Sequence, residues 1–220
     1  MITIKGIVND VDMDKMVLTE RDYAILREVN RFRFCLGRHI KSLVGFNGVR
    51  ACDRRLSKLV EASYIARKKV LYGVPSLYVL TNKGKIVIGA VKRQDKIRVE
   101  QIAHDITVLD AIIYFISKYK IPLSKIVSEK ELHKADGFGT RRHQPDFVFY
   151  RDDKSFCVEV ELSLKAKARL IKNIEQNFLS YDNQIWIVPQ KESKVIELIE
   201  QSKVKYDGIE IVSCESVVDI

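Results

Sequence analysis

The sequence lacks the features that mark membrane, secreted disulfide-rich and zinc-binding proteins. No stretch approaches the roughly 18 apolar residues of a membrane helix, and acids stand where a signal peptide would be apolar. Its four cysteines, Cys35, Cys52, Cys157 and Cys214, form no CxxC or Cys/His spacing, which predicts reduced thiols. No repeat or low-complexity tract interrupts the 220 residues, of which 46% are hydrophobic. We therefore expect an ordered cytoplasmic protein with no membrane partner.

Positive charge is concentrated in the first part of the chain. Residues 1–91 hold 17 Lys and Arg against 8 Asp and Glu, whereas residues 92–220 hold 21 of each kind. The entire excess of +9 therefore belongs to the first segment. A basic half joined to a neutral half predicts that the basic half binds a polyanion. We expect a basic domain at 1–91, a linker at 92–98 and a second domain at 99–220.

Three helices and a hairpin are predicted in the basic segment. Thr19 is a suitable N-cap for a helix over residues 20–31, which has acids in its first turn. A second helix is predicted in LGRHIKSLV, and the turn GFNG leads into a third that begins at Val49. Two short strands, in IARKKVLY and LYVLT, flank the turn GVPS. Three helices followed by a basic hairpin are typical of a winged helix-turn-helix.

The basic side chains of this segment fall where such a motif holds DNA. The residues of the third helix expected to face the core are Val49, Cys52, Leu56, Leu59 and Val60. The residues predicted to contact DNA are Arg50, Arg54, Arg55 and Lys58 on that helix and Arg67, Lys68 and Lys69 on the hairpin. A helix in a major groove reads B-form DNA better than A-form RNA, so double-stranded DNA is the expected partner and RNA the weaker alternative.

Residues 99–220 alternate between helical and strand patterns. A long apolar helix is predicted in VEQIAHDITVLDAIIYFISKY, and further helices in KAKARLIKNIEQNFLSY and VIELIEQSK. The strand-like runs are SKIVSEKEL, PDFVFYRD, SFCVEVELSL, QIWIVP and GIEIVS. The fold class is therefore predicted to be α/β, a mixed α+β arrangement with a mixed sheet flanked by helices.

Three carboxylates mark the hairpin around the turn DDKS. Asp146 opens its first strand, and Glu159 and Glu161 lie two apart on the second, hence on one face. Adjacent carboxylates raise each other's pKa unless a cation compensates them, and Mg²⁺ prefers such oxygen ligands. The pattern predicts a Mg²⁺ or Mn²⁺ site. Alternatively, the glutamates form an exposed strand face that pairs with neighbouring bases, namely Lys165, Lys167 or Arg169.

The same residues carry a family resemblance. HQPDFVFYRDDKSFCVEVELS resembles the PD-(D/E)XK motif of restriction-endonuclease-like nucleases. With the winged helix in front, IAHDITVLDA in the middle and SEKEL before the hairpin, residues 17–190 resemble the replication-relaxation family and its mobilisation-relaxase relatives. The resemblance implies a DNA-binding protein of a plasmid, phage or integrative element, with Mg²⁺-dependent nicking or endonuclease activity or an accessory role in replication.

The resemblance also implies roles for particular residues. Asp146 and Glu159 would be metal ligands, with Glu131 or Glu129 as a further acid. The usual lysine of the motif is replaced by Glu161, which either ligates metal or acts as general base. Lys165 would alternatively supply the missing positive charge. Candidates for the surroundings of the site are His104, Asp105, Glu131 and His143, of which His104 on its long helix has a structural alternative.

A second function class stays open at this stage. The chain would then be a winged-helix transcription regulator or replication-accessory protein whose second domain is not catalytic. That domain would serve homodimerisation, as expected for palindromic sites, or contact with other replication or mobilisation proteins. Metal binding separates the two hypotheses, because only the first requires a cation at the hairpin acids.

Overall fold

The computed structural model describes residues 16–70, 72–91, 97–136, 142–164 and 166–218. The helices are α1 (Glu20–Arg31), α2 (Gly37–Leu43), α3 (Val49–Glu61), α4 (Asn82–Val87), α5 (Ile102–Tyr119), α6 (Glu129–Ala135), α7 (Lys167–Ser180), α8 (Ser193–Ser202) and α9 (Cys214–Val218). The strands are β1 (Ile65–Lys68), β2 (Leu77–Leu80), β3 (Ile126–Ser128), β4 (Phe147–Arg151), β5 (Lys154–Val160), β6 (Asn183–Val188) and β7 (Ile209–Ser213). The predicted mixed α+β class is confirmed.

The N-terminal part consists of α1, α2 and α3 followed by the hairpin of β1 and β2. Helix α1 begins where predicted, because the Thr19 amide and hydroxyl both donate to the Asp22 carboxylate, at 2.6 and 2.7 Å. Strands β1 and β2 are antiparallel, with Ile65 opposite Leu80. The predicted order of three helices and a hairpin is confirmed.

The core of this part is built from the apolar faces of α1, α2 and α3. Cys52, Leu56 and Leu59 of α3 are buried, and Val60 packs against them, as the helical spacing predicts. The prediction for Val49 was wrong, because 59% of this side chain is exposed. Val49 is the first residue of α3 and precedes the turns that pack against the other helices.

The second part is built around a five-stranded sheet in the order β3, β4, β5, β6, β7. Strands β3, β4 and β5 pair antiparallel, whereas β5, β6 and β7 pair parallel. Phe147, Phe149 and Val158 share a core cluster with residues of α5 on one face of the sheet. Trp186 and Val188 pack with residues of α7 and α8 on the other face. Of the hairpin acids, Asp146 contacts His104 of α5 and Glu159 contacts Asn177 of α7.

One predicted strand is shorter than expected. In SKIVSEKEL only Ile126–Ser128 is a strand, and the chain then turns into α6. Ser128 caps this helix, because its amide and hydroxyl both donate to Glu131. This capping box is a helix-start signal that outweighs the strand propensity of the preceding residues. Helix α9 was not predicted either.

Helix α5 joins the two parts of the molecule. Its Leu109 lies in the core of α1, α2 and α3, while Ile112 packs against the sheet. Asp110 accepts from Arg38 of α2 at 2.7 Å and lies 3.0 Å from Nε2 of His39. Burial lowers the pKa of His39, and its Nδ1 accepts from the Leu36 amide at 3.3 Å, so the ring connects the start of α2 with α5. The predicted domain boundaries at 1–91 and 99–220 stay a prediction. Apolar packing between Leu109 and the core of α1, α2 and α3 extends across them.

The cysteines agree with the sequence-based expectation. Cys35, Cys52 and Cys157 are buried, Cys214 is half-buried, and all four are free thiols. Within the described ranges, no helix combines the length and apolar character needed to cross a membrane.

Candidate functional site

The β4–β5 hairpin fixes the position of two acids. Asp146 immediately precedes β4, and its Oδ2 accepts the amide of Val160 on β5 at 2.7 Å. Its backbone carbonyl accepts the amide of Glu129 at 2.9 Å. Glu159 lies next to Val160, so the strand register brings its carboxyl group to the same end of the hairpin.

The acids line a cleft of about 790 Å³ between α5, α7 and the hairpin. Asp146, Glu159 and Glu161 all contribute to its surface. The cleft is also lined by basic, amide and further acidic side chains, most of them on α5, on α7 and just before α5. The three predicted acids therefore share one cleft, with Glu161 half-buried at the end of β5.

Glu159 is a buried acid with two hydrogen-bond donors. Only 7% of it is exposed, and its Oε1 lies 2.6 Å from His143 Nε2 and accepts from Asn177 at 2.9 Å. Burial raises the pKa of Glu159, the His143 bond opposes this, and the charge of Asp146 adds to the increase. Burial is the largest of these causes, and the neighbouring carboxylate of Asp146 contributes less. Glu159 is therefore not part of an exposed strand face.

His104 stands beside the other acid. Its Nε2 is 3.4 Å from Asp146 Oδ2, and its Nδ1 is 3.4 Å from Asp105 Oδ1. Burial disfavours the charged ring, but the bonds to Asp105 and Asp146 raise the pKa of His104 to about 10. For His143 too, burial opposes protonation, and the bond to Glu159 raises the pKa. Each of these two acids thus faces a histidine whose pKa it helps to raise.

The walls of the cleft carry donors for an anionic ligand. On α7, side chains at the spacing i, i+3, i+4 and i+7 form one stripe, which consists of Arg169, Lys172, Asn173 and Gln176. Across the cleft lie Arg98, Gln101 and Arg33. A cleft lined by both acids and bases suits a ligand that carries phosphates and shares a cation with the acids.

The further acid of the site is Glu129 rather than Glu131. Glu129 lines the cleft, whereas Glu131 closes the capping box of α6 and pairs with Arg31 at 3.0 Å. Lys165, the predicted source of positive charge, lies outside the described residues. Of the other two bases predicted as alternative partners of the glutamates, Arg169 lines the cleft and Lys167 is exposed.

The acids fit a divalent cation that is held in part by substrate. Among the described residues, no group of three or more His, Cys, Asp or Glu side chains is placed to hold a metal ion. Asp146 and Glu159 offer two carboxylates at one cleft. Mg²⁺ is commonly held by one or two carboxylates, with water and substrate phosphates as its other ligands. This donor set fits such a cation and does not form a closed protein cage.

Six of the seven predicted DNA contacts are exposed basic residues. They are Arg50, Arg54 and Lys58 on α3 and Arg67, Lys68 and Lys69 on or after β1. Arg55 differs, because its guanidinium is bonded to both carboxylate oxygens of the fully buried Asp22. We therefore assign Arg55 to the packing of α3 on α1.

Several residues of the site were missed from the sequence, among them Asn177 and Arg33. Asn177 continues the buried stripe of Leu170 and Ile174, so an amide in an apolar helical face was a signal that a buried partner exists. Arg33 follows α1 and is far in sequence from the other cleft residues. Arg98, Glu100 and Gln101 come more than 60 residues after it, and all the others more than 70 residues after it. No local pattern could have indicated its position, because it depends on how α1 packs.

Comparison with known proteins agrees with the resemblance carried by the motif. A model of the replication-relaxation family matches residues 26–182, well over half of the chain. No curated protein and no solved structure matches it. The matched region runs from α1 to the end of α7 and contains both hairpin acids and their histidine partners. The chain therefore belongs to the replication-relaxation family, and it is related to the replication and relaxase proteins of mobile elements.

Proposed function

We propose that this protein binds double-stranded DNA of a mobile element and hydrolyses a phosphodiester bond in the cleft with Mg²⁺ or Mn²⁺. The observation that carries the proposal is that Asp146, Glu159 and Glu161 line one cleft, and that the same cleft is lined by the bases Arg98, Arg169 and Lys172. Acids alone would repel a phosphate, whereas acids that share a cation attract it. The proposed endonuclease is of the PD-(D/E)XK type, whose motif the hairpin resembles.

The N-terminal part would select the DNA as a winged helix-turn-helix. In this proposal α3 enters the major groove with Arg50, Arg54 and Lys58, and the β1–β2 hairpin lies along the backbone. The exposure of these side chains supports the assignment, because they are accessible to phosphates and base edges. The cleft would then act on the DNA that this part positions.

Removing two of these bases should reduce the salt dependence of DNA binding. We expect the double variant Arg54→Gln, Lys58→Gln to bind duplex DNA more weakly, with a slope of log K against log salt smaller by about 1.8. The control is Lys194→Gln, which removes an exposed base from α8. Fluorescence anisotropy at several salt concentrations measures both quantities. An unchanged slope in the double variant would contradict the interface.

The side chains of the cleft have separate tasks in the proposed reaction. Asp146 and Glu159 would hold the cation, and the Val160 amide and Asn177 fix the direction of these two carboxylates. A bound Mg²⁺ or Mn²⁺ lowers the pKa of water and offsets the charge that develops on the phosphate. The water oxygen bonds to phosphorus as one P–O ester bond breaks, and the water's proton is transferred to the departing oxygen. Glu161 either joins the ligands or accepts this proton first.

The test is the conversion of supercoiled plasmid to nicked or linear DNA in the presence of Mg²⁺ or Mn²⁺. Wild type should convert it, and Glu159→Gln should not. Equal behaviour of the two proteins would remove the catalytic part of the proposal.

A second candidate is a winged-helix regulator or replication-accessory protein. It is favoured by the contacts of Glu159 and Asp146 with His143 and His104, which balance the acids without a metal. The second part would then serve dimerisation or contact with other replication or mobilisation proteins. Isothermal calorimetry with MgCl₂ and MnCl₂ separates the candidates. No binding, with steeply salt-dependent DNA affinity retained, would favour the regulator.

A further inference from the structure

Arg33 brings a cation from the DNA-binding part into the cleft of the second part. Its Nη2 is 3.1 Å from Glu129 Oε2, and its Nη1 is 3.8 Å from Asp105 Oδ2. These acids flank the pair of His104 and Asp146, and all of them line the same cleft. The guanidinium is therefore held by two acids beside the proposed reaction centre.

The backbone at Arg33 favours a different residue. Helix α1 ends with Phe32 as its C-cap, and Arg33 follows with φ of 68°, in the left-handed region. Glycine is the usual residue at this position, because a Cβ atom is disfavoured there. The backbone conformation at the end of α1 therefore gives no reason for an arginine at position 33. A residue kept in a disfavoured conformation beside a candidate site points to a role for its side chain.

Guanidinium chemistry matches what the cleft requires. The planar group carries five N–H donors, so a group oriented by two carboxylates can still donate to a phosphate. The resemblance places a lysine in the motif where this chain has Glu161, which leaves the developing charge without that cation. Arg33 can supply the charge from the other side of the cleft.

We propose that Arg33 is a catalytic residue that donates a hydrogen bond to a non-bridging oxygen of the phosphodiester being cleaved. This inference rests on the proposed function and assigns a role that the hairpin motif does not contain. Since Arg33 follows directly on α1, its position depends on the packing of the DNA-binding part. Cleavage would then require the two parts to be docked as they are here.

The variant Arg33→Gly separates a donor from a structural residue. Glycine suits the left-handed backbone, so the melting temperature should not fall below that of wild type. Single-turnover plasmid cleavage should fall by about 10² to 10³-fold, and added guanidinium ion at millimolar concentration should restore part of it. Arg33→Lys should retain intermediate activity, because lysine keeps the charge but not the planar fork.

Lys120→Gly is the matched control. Lys120 is also a base that follows a helix in the left-handed region, with φ of 54°, but it is exposed and does not line the cleft. We expect its cleavage rate to stay within about twofold of wild type. Wild-type cleavage by Arg33→Gly, or equal losses in both variants together with lower melting temperatures, would overturn the proposal.

A binding measurement keeps this inference separate from the proposed function. The probe is the dinucleoside monophosphate thymidylyl-thymidine, titrated without metal and followed by ³¹P NMR. Arg33→Gly should weaken binding at least about tenfold, on the scale of one charge-assisted hydrogen bond. If wild type binds the probe through Arg33 but cleaves no plasmid, the nuclease proposal fails and the phosphate contact stands. Equal binding by the two proteins, or none by either, overturns the contact itself.

Discussion

Replacing Glu159 by glutamine is expected to lower the rate of plasmid nicking by about 10² to 10⁴-fold, the scale on which a proton-transfer or metal-holding group contributes. Glutamine keeps the shape and the Oε1 acceptor that Asn177 bonds at 2.9 Å, but it removes the charge. The loss should therefore reflect chemistry rather than packing. Single-turnover rates at saturating protein, with Mg²⁺ and with Mn²⁺, measure it.

The matched control for this variant is Glu210→Gln. Glu210 is an exposed glutamate on β7, which does not line the cleft, so the same change there should leave the nicking rate within about twofold of wild type. DNA affinity should be similar in wild type and both variants, because the proposed DNA contacts lie on α3 and the hairpin. Nicking by Glu159→Gln at the control rate would show that this acid takes no part in the reaction.

The largest effect on stability is expected at Asp22. Asp22 is fully buried and Arg55 is one quarter exposed, and the pair joins α1 to α3. Replacing Asp22 by alanine leaves Arg55 without its partner and removes the acceptor that caps α1 at Thr19. We expect a decrease of about 3 kcal/mol in the free energy of unfolding, the lower end for breaking a buried pair. Urea denaturation followed by circular dichroism measures it.

The loss should depend on pH in a definite direction. Burial pushes the pKa of Asp22 up, but hydrogen bonds from Arg55 and Thr19 outweigh it and bring the pKa below its ordinary value of 3.8. A carboxyl group whose pKa is lowered by folding contributes its full stabilisation at pH values above 3.8. This contribution is lost as the pH falls from 3.8 through the lower pKa of the folded protein. The difference between wild type and Asp22→Ala should therefore shrink between pH 7 and pH 3.

The exposed acid Glu20, in the same helical turn, provides the comparison. Glu20→Ala should lower the free energy of unfolding by less than about 0.5 kcal/mol at both pH 7 and pH 3. The reason is that an exposed side chain has water as its alternative partner. A difference between wild type and Asp22→Ala that stays constant with pH would show that the charge of Asp22 is not what stabilises the fold.

Local patterns were sufficient to predict most helices and strands. The limits of α1 followed from Thr19 and the spacing of Ile25, Leu26 and Val29, since capping and apolar periodicity act within a few residues. The β4–β5 hairpin followed from its polar turn in the same way. The predictions that Val49 is buried and that the strand continues past Ser128 were wrong, because both depend on residues outside the local pattern. Whether a first-turn valine is buried depends on what packs beside it.

The candidate site was only partly predictable. The spacing of Glu159 and Glu161 indicated a shared face, and the motif indicated Asp146 as the third acid. The pairing of Glu159 with His143 depends on how the chain approaches β4, and the Asn177 contact depends on the docking of α7 on the sheet. Sequence spacing contains no information about such contacts, because the partners belong to different elements.

By itself, the sequence determined the element order, the concentration of charge in the first 91 residues and the alternation that places acids on one strand face. These properties depend on backbone geometry and on side-chain types within one or two turns. Only the tertiary structure decided that Glu159 is buried, that Arg55 is bound to Asp22 and that Arg33 reaches the cleft. Burial and ion pairing are set by groups distant in the chain, and they become defined only when α1, α5, α7 and the sheet have packed together.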